Sequence, residues 1–559
     1  MRLRFTTRGW FFSLAVFLFV AGNAVAQSTG TVVSDNPLAT QAGMEILDAG
    51  GNAVDAAVAT AFALGVVDPS ASGLGGGGFM VIYQAKEKKA HALDFRETAP
   101  SGARREQYMK GGKPVPSLSL TGPLAVAVPG EVAGLAEALK RFGSKPLAAV
   151  IAPAIRYAVD GFPIQSRLRH ALEQQLGNIR KSPDFARVML VKNEIPADGE
   201  ILRQRELGET LKAIAEQGPE VFYQGWIGLA IAQRINKEGG VLTLEDVKSY
   251  KPVWREPLVG RYRKWTVITM PPPSSGGVAL LEMLNTLEGY QLGLIAHDSP
   301  TYLHLVAEAM KHAFADRAQR LGDPDFVQVP VDKLISKEYA ASIRGRISST
   351  KTHPPKYYGH GASPPEKGGT THFSVLDRFG NAVACTLTVN TSFGSKVFVP
   401  EAGIVLNNEM DDFAIHPGTP NVYRLIGTDG NSLQPKKRPL SSMAPTVILE
   451  GENPALIVGA AGGPRIISAT LQTILNVLDF HMPVKEAVEA PRIHHQWMPD
   501  ELVVEGKIAP NSKKSLERLG HSVKERSSLG LVEAVAVQKS KVTGAADPRQ
   551  EEPAPAERR

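Results

Sequence analysis

The 559-residue sequence predicts an α+β chain, and three observations carry that reading. From about 120 to 350 the pattern is mainly helical, as in "GEVAGLAEALKRFG" and "SPTYLHLVAEAMKHAFADRAQRLGDPD". A segment rich in Pro, Gly, His, Lys and Tyr, Lys351 to Gly369, then interrupts it as an exposed, mobile stretch. Beyond it, "TTHFSVLDRFGNAVACTLTVN" alternates about a turn as two strands, with helical patterns further on.

The elements follow in order from the N-terminus. Arg2, Arg4 and Arg8 precede the apolar run "WFFSLAVFLFVAG" and the small residues before Gln27, the pattern of a secretory signal cleaved near Ala26. The run is too short for a transmembrane anchor, so the mature chain is expected to be periplasmic or secreted. Without residues 1–26 the formal charge falls from +6 to +3, since three arginines and no acids leave. A nearly neutral chain with no basic, aromatic-interleaved run gives no footprint for nucleic acid. The single cysteine, Cys385, excludes an internal disulfide and a cysteine-rich metal site, and its apolar run predicts a buried thiol.

Asn36-Pro37 and Gly50-Gly51 bracket a first helix, and Asn52 caps a second whose Ala and Val residues predict burial on nearly every face. "SGLGGGGFMVIYQ" lacks the Lys-Ser/Thr of a phosphate loop, so its glycines predict close backbone approach before a strand. "MPPPSSGG" reads as a loop before a helix, and "QEEPAPAERR" as a disordered tail.

At "GGTT" the strand pattern begins. Thr370, His372 and Ser374 share one strand face, opposite Phe373 and Val375. With a turn between Asp377 and Asn381, Thr370 falls opposite Thr388. Two readings stand at this point: a loop entering a sheet, or a junction that cuts itself. Cleavage between Gly369 and Thr370 would place a free α-amine beside the Thr370 hydroxyl, and a base is what that weak nucleophile needs. Gly369 would allow the strained backbone that self-attack requires. Downstream, "NTSFGSKVFVPEAGIVLNNEMDDF", "KKRPLSSMAPT" and "GAAGGPRIISATLQTILNVL" supply acids for an ammonium, hydroxyls for a carboxylate and a Gly-Gly helix start for an oxyanion.

With "GGNAVDAAVA", "GLGGGGFM", "DFRETAP", "MPPPSSGG", "TTHFSV", "NNEMDDF", "RPLSSM", "GGPRII", "APRIHHQW" and "ADPR" in that order, the chain resembles the γ-glutamyltranspeptidase family over nearly its full length. The resemblance implies the N-terminal-nucleophile hydrolase αββα sandwich, built from both subunits of an autocleaved precursor. It implies a large subunit 27–369 and a small subunit 370–559 that stay together as a heterodimer. Thr370 matches the processing and catalytic nucleophile, and Thr388 the threonine that orients it. Arg96, Ser441 and Ser442 match the residues at the substrate α-carboxylate, and Asn390, Glu409 and Asp412 those at the α-ammonium. Gly462 and Gly463 match the oxyanion hole, and Tyr423 the gate of a lid over 416–431. Glutathione and other γ-glutamyl compounds are the implied donors, water and amino acids or dipeptides the acceptors, with no metal or organic cofactor. His494-His495 lacks partner ligands in the sequence and reads as structural. Two alternatives are a cephalosporin (glutaryl) acylase of the same fold and an exported amino-acid- or peptide-binding protein that never cuts itself.

Overall fold

The computed structural model describes residues 30–359, 369–415 and 429–550. Two six-stranded antiparallel sheets form its centre. In chain order the strands are β1 (Gly30–Ser34), β2 (Gly77–Gln84), β3 (Lys89–Phe95), β4 (Val253–Arg255), β5 (Leu258–Tyr262) and β6 (Trp265–Thr269). After Gly369 come β7 (Gly369–Asp377), β8 (Ala382–Asn390), β9 (Thr446–Glu450), β10 (Asn453–Ala461), β11 (Leu531–Gln538) and β12 (Lys541–Ala546). The first sheet runs β1-β7-β8-β2-β3-β4 and the second β12-β11-β10-β9-β6-β5. In both, strands from before and after Gly369 are hydrogen-bonded neighbours.

Helices cover the outer faces. Those that matter below are α1 (Pro37–Asp48), α2 (Ala53–Val67), α3 (Glu131–Phe142), α4 (Ser166–Ile179), α5 (Gly276–Leu287), α6 (Pro300–Arg320) and α7 (Arg465–Leu478). Alternation sorts the strand side chains. Met80, Ile82, Phe373, Val375 and Cys385 join α1, α2 and α3 in one core. Phe79, Val81, Ala382 and Ala384 join β9, β10, α5, α6 and α7 in the other. The layers are therefore helix, sheet, sheet, helix.

Local chemistry explains the ends that the sequence marks. The Asn36 side chain accepts from the Leu38 N–H with Pro37 at the first helical position, and Asn52 forms a capping box with Asp55. Every residue of α2 is buried, as its alanine-rich sequence predicts. The glycine run does bring backbones together. A Cβ on Gly75 would lie 2.1 Å from the Val405 carbonyl oxygen, and one on Gly76 2.2 Å from that of Thr388.

Two expectations change. The helical middle contains β4, β5 and β6, and the C-terminal part returns to strands in β11 and β12. These short strands are ordered by partners far away in sequence, as in β4 with β3 and β6 with β9. Tyr423, the lid region over 416–428, the signal segment and the tail from 551 onward lie outside the described residues.

Candidate active site

β7 and β8 pair with Thr370 opposite Thr388, the register expected from the turn, and the ladder shifts between Gly369 and Thr370. The two hydroxyl oxygens are 3.2 Å apart. Thr388 donates its proton to the Gly369 carbonyl (3.0 Å) and accepts the Asn390 N–H (2.8 Å). Its only proton is thus committed, so the Thr370 hydroxyl is the donor between the two. Asn390 closes β8 at φ 74, a left-handed conformation that Asn tolerates. Gly369 does not have a positive φ. What its position requires is room: a Cβ would stand 2.7 Å from the Thr391 carbonyl carbon and 2.8 Å from the Ser392 nitrogen. Crowding, not the expected strained backbone, demands glycine.

The other edge of β7 is held differently. β1 ends at Ser34, opposite Phe373, so Thr370 to His372 have no strand beside them there. Arg167, from α4, fills the place. Its Nη2 donates to the Thr370 carbonyl (3.2 Å), its Nε pairs with Asp68 (3.0 Å) and its Nη1 with Asp35. Burial raises the Asp35 carboxyl, and Arg167 and the Thr371 hydroxyl oppose that rise.

Arg96, at the end of β3, is buried. Its Nη1 pairs with Glu409 (2.7 Å), its Nη2 with Asp412, and its Nε donates to the Pro439 carbonyl (3.2 Å). Burial works against its charge, and Glu409, Asp412 and Glu97 outweigh that, so the guanidinium stays ionised. Burial also pushes the Glu97 carboxyl up to about 8 and Glu409 well above the usual range. The residues expected at opposite ends of a substrate are thus joined to each other by ion pairs.

Ser441 and Ser442 are placed by the "PPPSSGG" loop. Ser275 hydrogen-bonds the Ser441 carbonyl through N–H (2.8 Å) and hydroxyl, and the Ser441 N–H donates to the Pro273 carbonyl (3.0 Å). The Ser441 hydroxyl oxygen accepts the Met443 N–H (3.1 Å). Gly462 and Gly463, at φ 124 and 59, turn the chain from β10 into α7.

One small cavity gathers Arg96, Thr370, Thr388, Asn390, Asp412, Ser441, Ser442 and Gly463, with Met443, Ile466 and Arg317. Glu409 does not line it and reaches it only through Arg96. Gly462 lies one residue behind Gly463 and is also outside the lining. Nothing in the sequence singles out Arg317 or Arg167. Each sits in a helical stretch where an arginine reads as a solvated face, and only the apolar surroundings of Arg317 in "AFADRAQRL" hint at burial.

The histidine pair is held by protein groups: His494 bonds Ser468 (2.7 Å) and Gln496 (2.9 Å), and His495 faces Asp500 (3.3 Å). Among the described residues His304, Glu308 and His521 place ligand atoms within 4.8 Å of one another. They are engaged already: the two rings share a hydrogen bond (2.8 Å), and Glu308 accepts from the Thr352 and Tyr358 hydroxyls (2.6 Å each).

A family profile described as Gamma-glutamyltranspeptidase matches residues 39–556. A glutathione hydrolase proenzyme of Escherichia coli (strain K12) is 44% identical over 529 residues, covering 94% of this chain and 91% of its own. A cephalosporin acylase structure from Bacillus halodurans has a TM-score of 0.81 at 30% identity, covering 98% of each chain. A Helicobacter pylori γ-glutamyltranspeptidase structure has a TM-score of 0.56 at 42% identity, covering 57% of this chain and 92% of that one.

Proposed function

The chain belongs to the γ-glutamyltranspeptidase family, and we propose that Thr370 is both the residue at which its precursor cuts itself and the nucleophile of the mature enzyme. Its activity is γ-glutamyl transfer and glutathione hydrolysis, with γ-glutamyl compounds as donors. The observation that carries the site assignment is the Thr388 hydroxyl, which bridges the Thr370 hydroxyl and the Gly369 carbonyl.

In the precursor, Thr370 Oγ adds to the Gly369 carbonyl carbon while the Thr388 hydrogen bond offsets charge developing on its oxygen. The C–N bond breaks, the nitrogen takes up the proton that Oγ gives up and becomes the Thr370 α-amine, and water hydrolyses the resulting ester. The α-amine so freed ordinarily titrates at about 7.7–8.0, so about half of it is neutral near pH 8 and serves as the base beside the hydroxyl in turnover. The products are a large subunit, 27–369, and a small subunit, 370–559, associated as a heterodimer.

In turnover, Thr370 attacks the donor γ-carbonyl. Asn390 and Asp412, on the cavity wall, hold the α-ammonium with Glu409 behind them acting through Arg96, and Arg96, Ser441 and Ser442 hold the α-carboxylate. Backbone N–H groups of Gly462 and Gly463 receive the oxyanion. The amine leaves, cysteinylglycine in the case of glutathione, and water or an amino acid or dipeptide takes the γ-glutamyl group. The basic, apolar N-terminus directs export to the periplasm or beyond. Among the described residues no helix is long and apolar enough to cross a membrane.

The acylase likeness supports a second reading, a glutaryl-amide donor. Asp412 on the cavity wall favours a head group carrying an ammonium. A denaturing gel and a donor assay decide both points. Wild type is expected to give two bands near two-thirds and one-third of the mature mass, and Thr370→Ala one unsplit band. A single wild-type band sinks the nucleophile assignment. Hydrolysis of a glutaryl amide with no turnover of a γ-glutamyl anilide transfers the chain to the acylase reading.

A further inference from the structure

Arg317, in the last turn of α6, is 4% exposed and lines the same cavity as Thr370. Its Nε donates to the Ser275 hydroxyl (2.9 Å) and its Nη2 to the Ser442 hydroxyl (3.3 Å). No ion pair holds it among the described residues, whereas Arg96 is held by Glu409 and Asp412. Burial pulls its pKa down to about 10, with Asp412 opposing the fall and Arg96 adding to it. A buried guanidinium whose hydrogen bonds among the described residues go to neutral hydroxyls is a poorly compensated charge, and an anion in the cavity would compensate it.

The two serines point to the same ligand. Ser442 Oγ accepts from Arg317 and Ser441 Oγ from the Met443 N–H. With protein donors at those oxygens, both hydroxyl protons are left to donate, beside a cation, into the cavity. Hydroxyl donors converging with a guanidinium form a receptor for a carboxylate.

We propose that Arg317 is a specificity-determining residue, a second cation that acts through the Ser442 hydroxyl and across the cavity to select donors bearing an α-carboxylate. The inference rests on the assignment of Thr370 as nucleophile and of Ser441 and Ser442 as the carboxylate end.

The test compares γ-glutamyl-p-nitroanilide with γ-aminobutyryl-p-nitroanilide, which lacks the α-carboxylate, in wild type, Arg317→Gln and Arg317→Lys. In Arg317→Gln, kcat/KM for the carboxylated donor is expected to fall about tenfold or more, and for the other donor by less than about twofold. Arg317→Lys retains the charge and loses less on the carboxylated donor. A loss common to both donors, as a purely structural role would give, overturns the proposal, and so does no loss on either. If Arg317→Gln stays unsplit on a denaturing gel, Arg317→Lys decides: a larger loss on the carboxylated donor supports the proposal and an equal loss overturns it. Thr370→Ala, assayed alongside, separates the two levels. Turnover by Thr370→Ala removes the underlying nucleophile assignment, whereas an inert Thr370→Ala with donor-independent loss at Arg317 removes this inference alone.

Discussion

An alanine at 369 would push its Cβ to within 2.7 Å of the Thr391 backbone carbon, where no flexible side chain can give way. Gly369→Ala is therefore expected to slow self-cleavage about tenfold or more, because small misplacements of reacting groups are expensive. The fraction of unsplit chain on a denaturing gel after timed incubation checks this. Thr388 has a separate task. Thr388→Ala removes the donor to the Gly369 carbonyl and is expected to slow cleavage by about a hundredfold, the effect of losing one oxyanion donor. Thr388→Ser keeps the hydroxyl and should recover most of that rate. If Thr388→Ala matures as fast as wild type, the bridging hydroxyl has no part in processing. That Thr370, Thr388, Asp412, Ser441 and Ser442 belong to one cavity is legible in the sequence because each stands in a short motif with distinctive neighbours. Arg317 and Arg167 are not, because their partners, Ser442 and the Thr370 carbonyl, are brought to them only by folding.

The strand that bears Thr370 outruns its neighbour. β1 stops at Ser34, and the Arg167 guanidinium, braced by Asp35 and Asp68, takes over from the missing ladder. On the proposed cleavage Thr370 becomes a chain terminus, a place where strands fray unless tied down. Arg167→Gln is expected to lower kcat by about tenfold to a hundredfold with little change in KM, because the substrate's own contacts are untouched. Steady-state kinetics on a γ-glutamyl anilide give both constants, and a change confined to KM would rule the tether out. The β7–β8 hairpin is readable from alternation and its turn, and α2 from its unbroken apolar faces. β4 and β6 are not, since they are short and take their order from β3 and β9, and β5 is an edge strand ordered through its hairpin with β6.

The packed whole also stores a pH response away from the reacting groups. Glu131 is fully buried at the start of α3, with one weak hydrogen bond from the Gly73 N–H (3.3 Å). Burial pushes its carboxyl up to about 8 from a usual 4.5. A carboxyl raised in the folded state favours folding fully below its unfolded pKa, and that contribution is lost as pH rises through the folded value. Between about pH 5 and pH 8 wild type should thus lose stability that Glu131→Gln does not, by a few degrees in Tm. Glu97 is shifted the same way and remains in the variant, so the slope is reduced rather than abolished. Melting curves across that range check it, and parallel slopes for the two proteins would remove Glu131 as a source. None of this is visible in the sequence, where Glu131 reads as an ordinary first-turn acid.

The alternation of strands from before and after Gly369 bears on how a matured molecule can be taken apart. β7 lies between β1 and β8, and β8 in turn pairs β2, so the proposed cut, at the very start of β7, would leave the strands of the two chains interleaved in one sheet. Neither chain can be withdrawn without stripping strands from the other. Folded molecules of two parent types, mixed after maturation, should therefore fail to exchange their halves, and hybrids should form only on joint refolding.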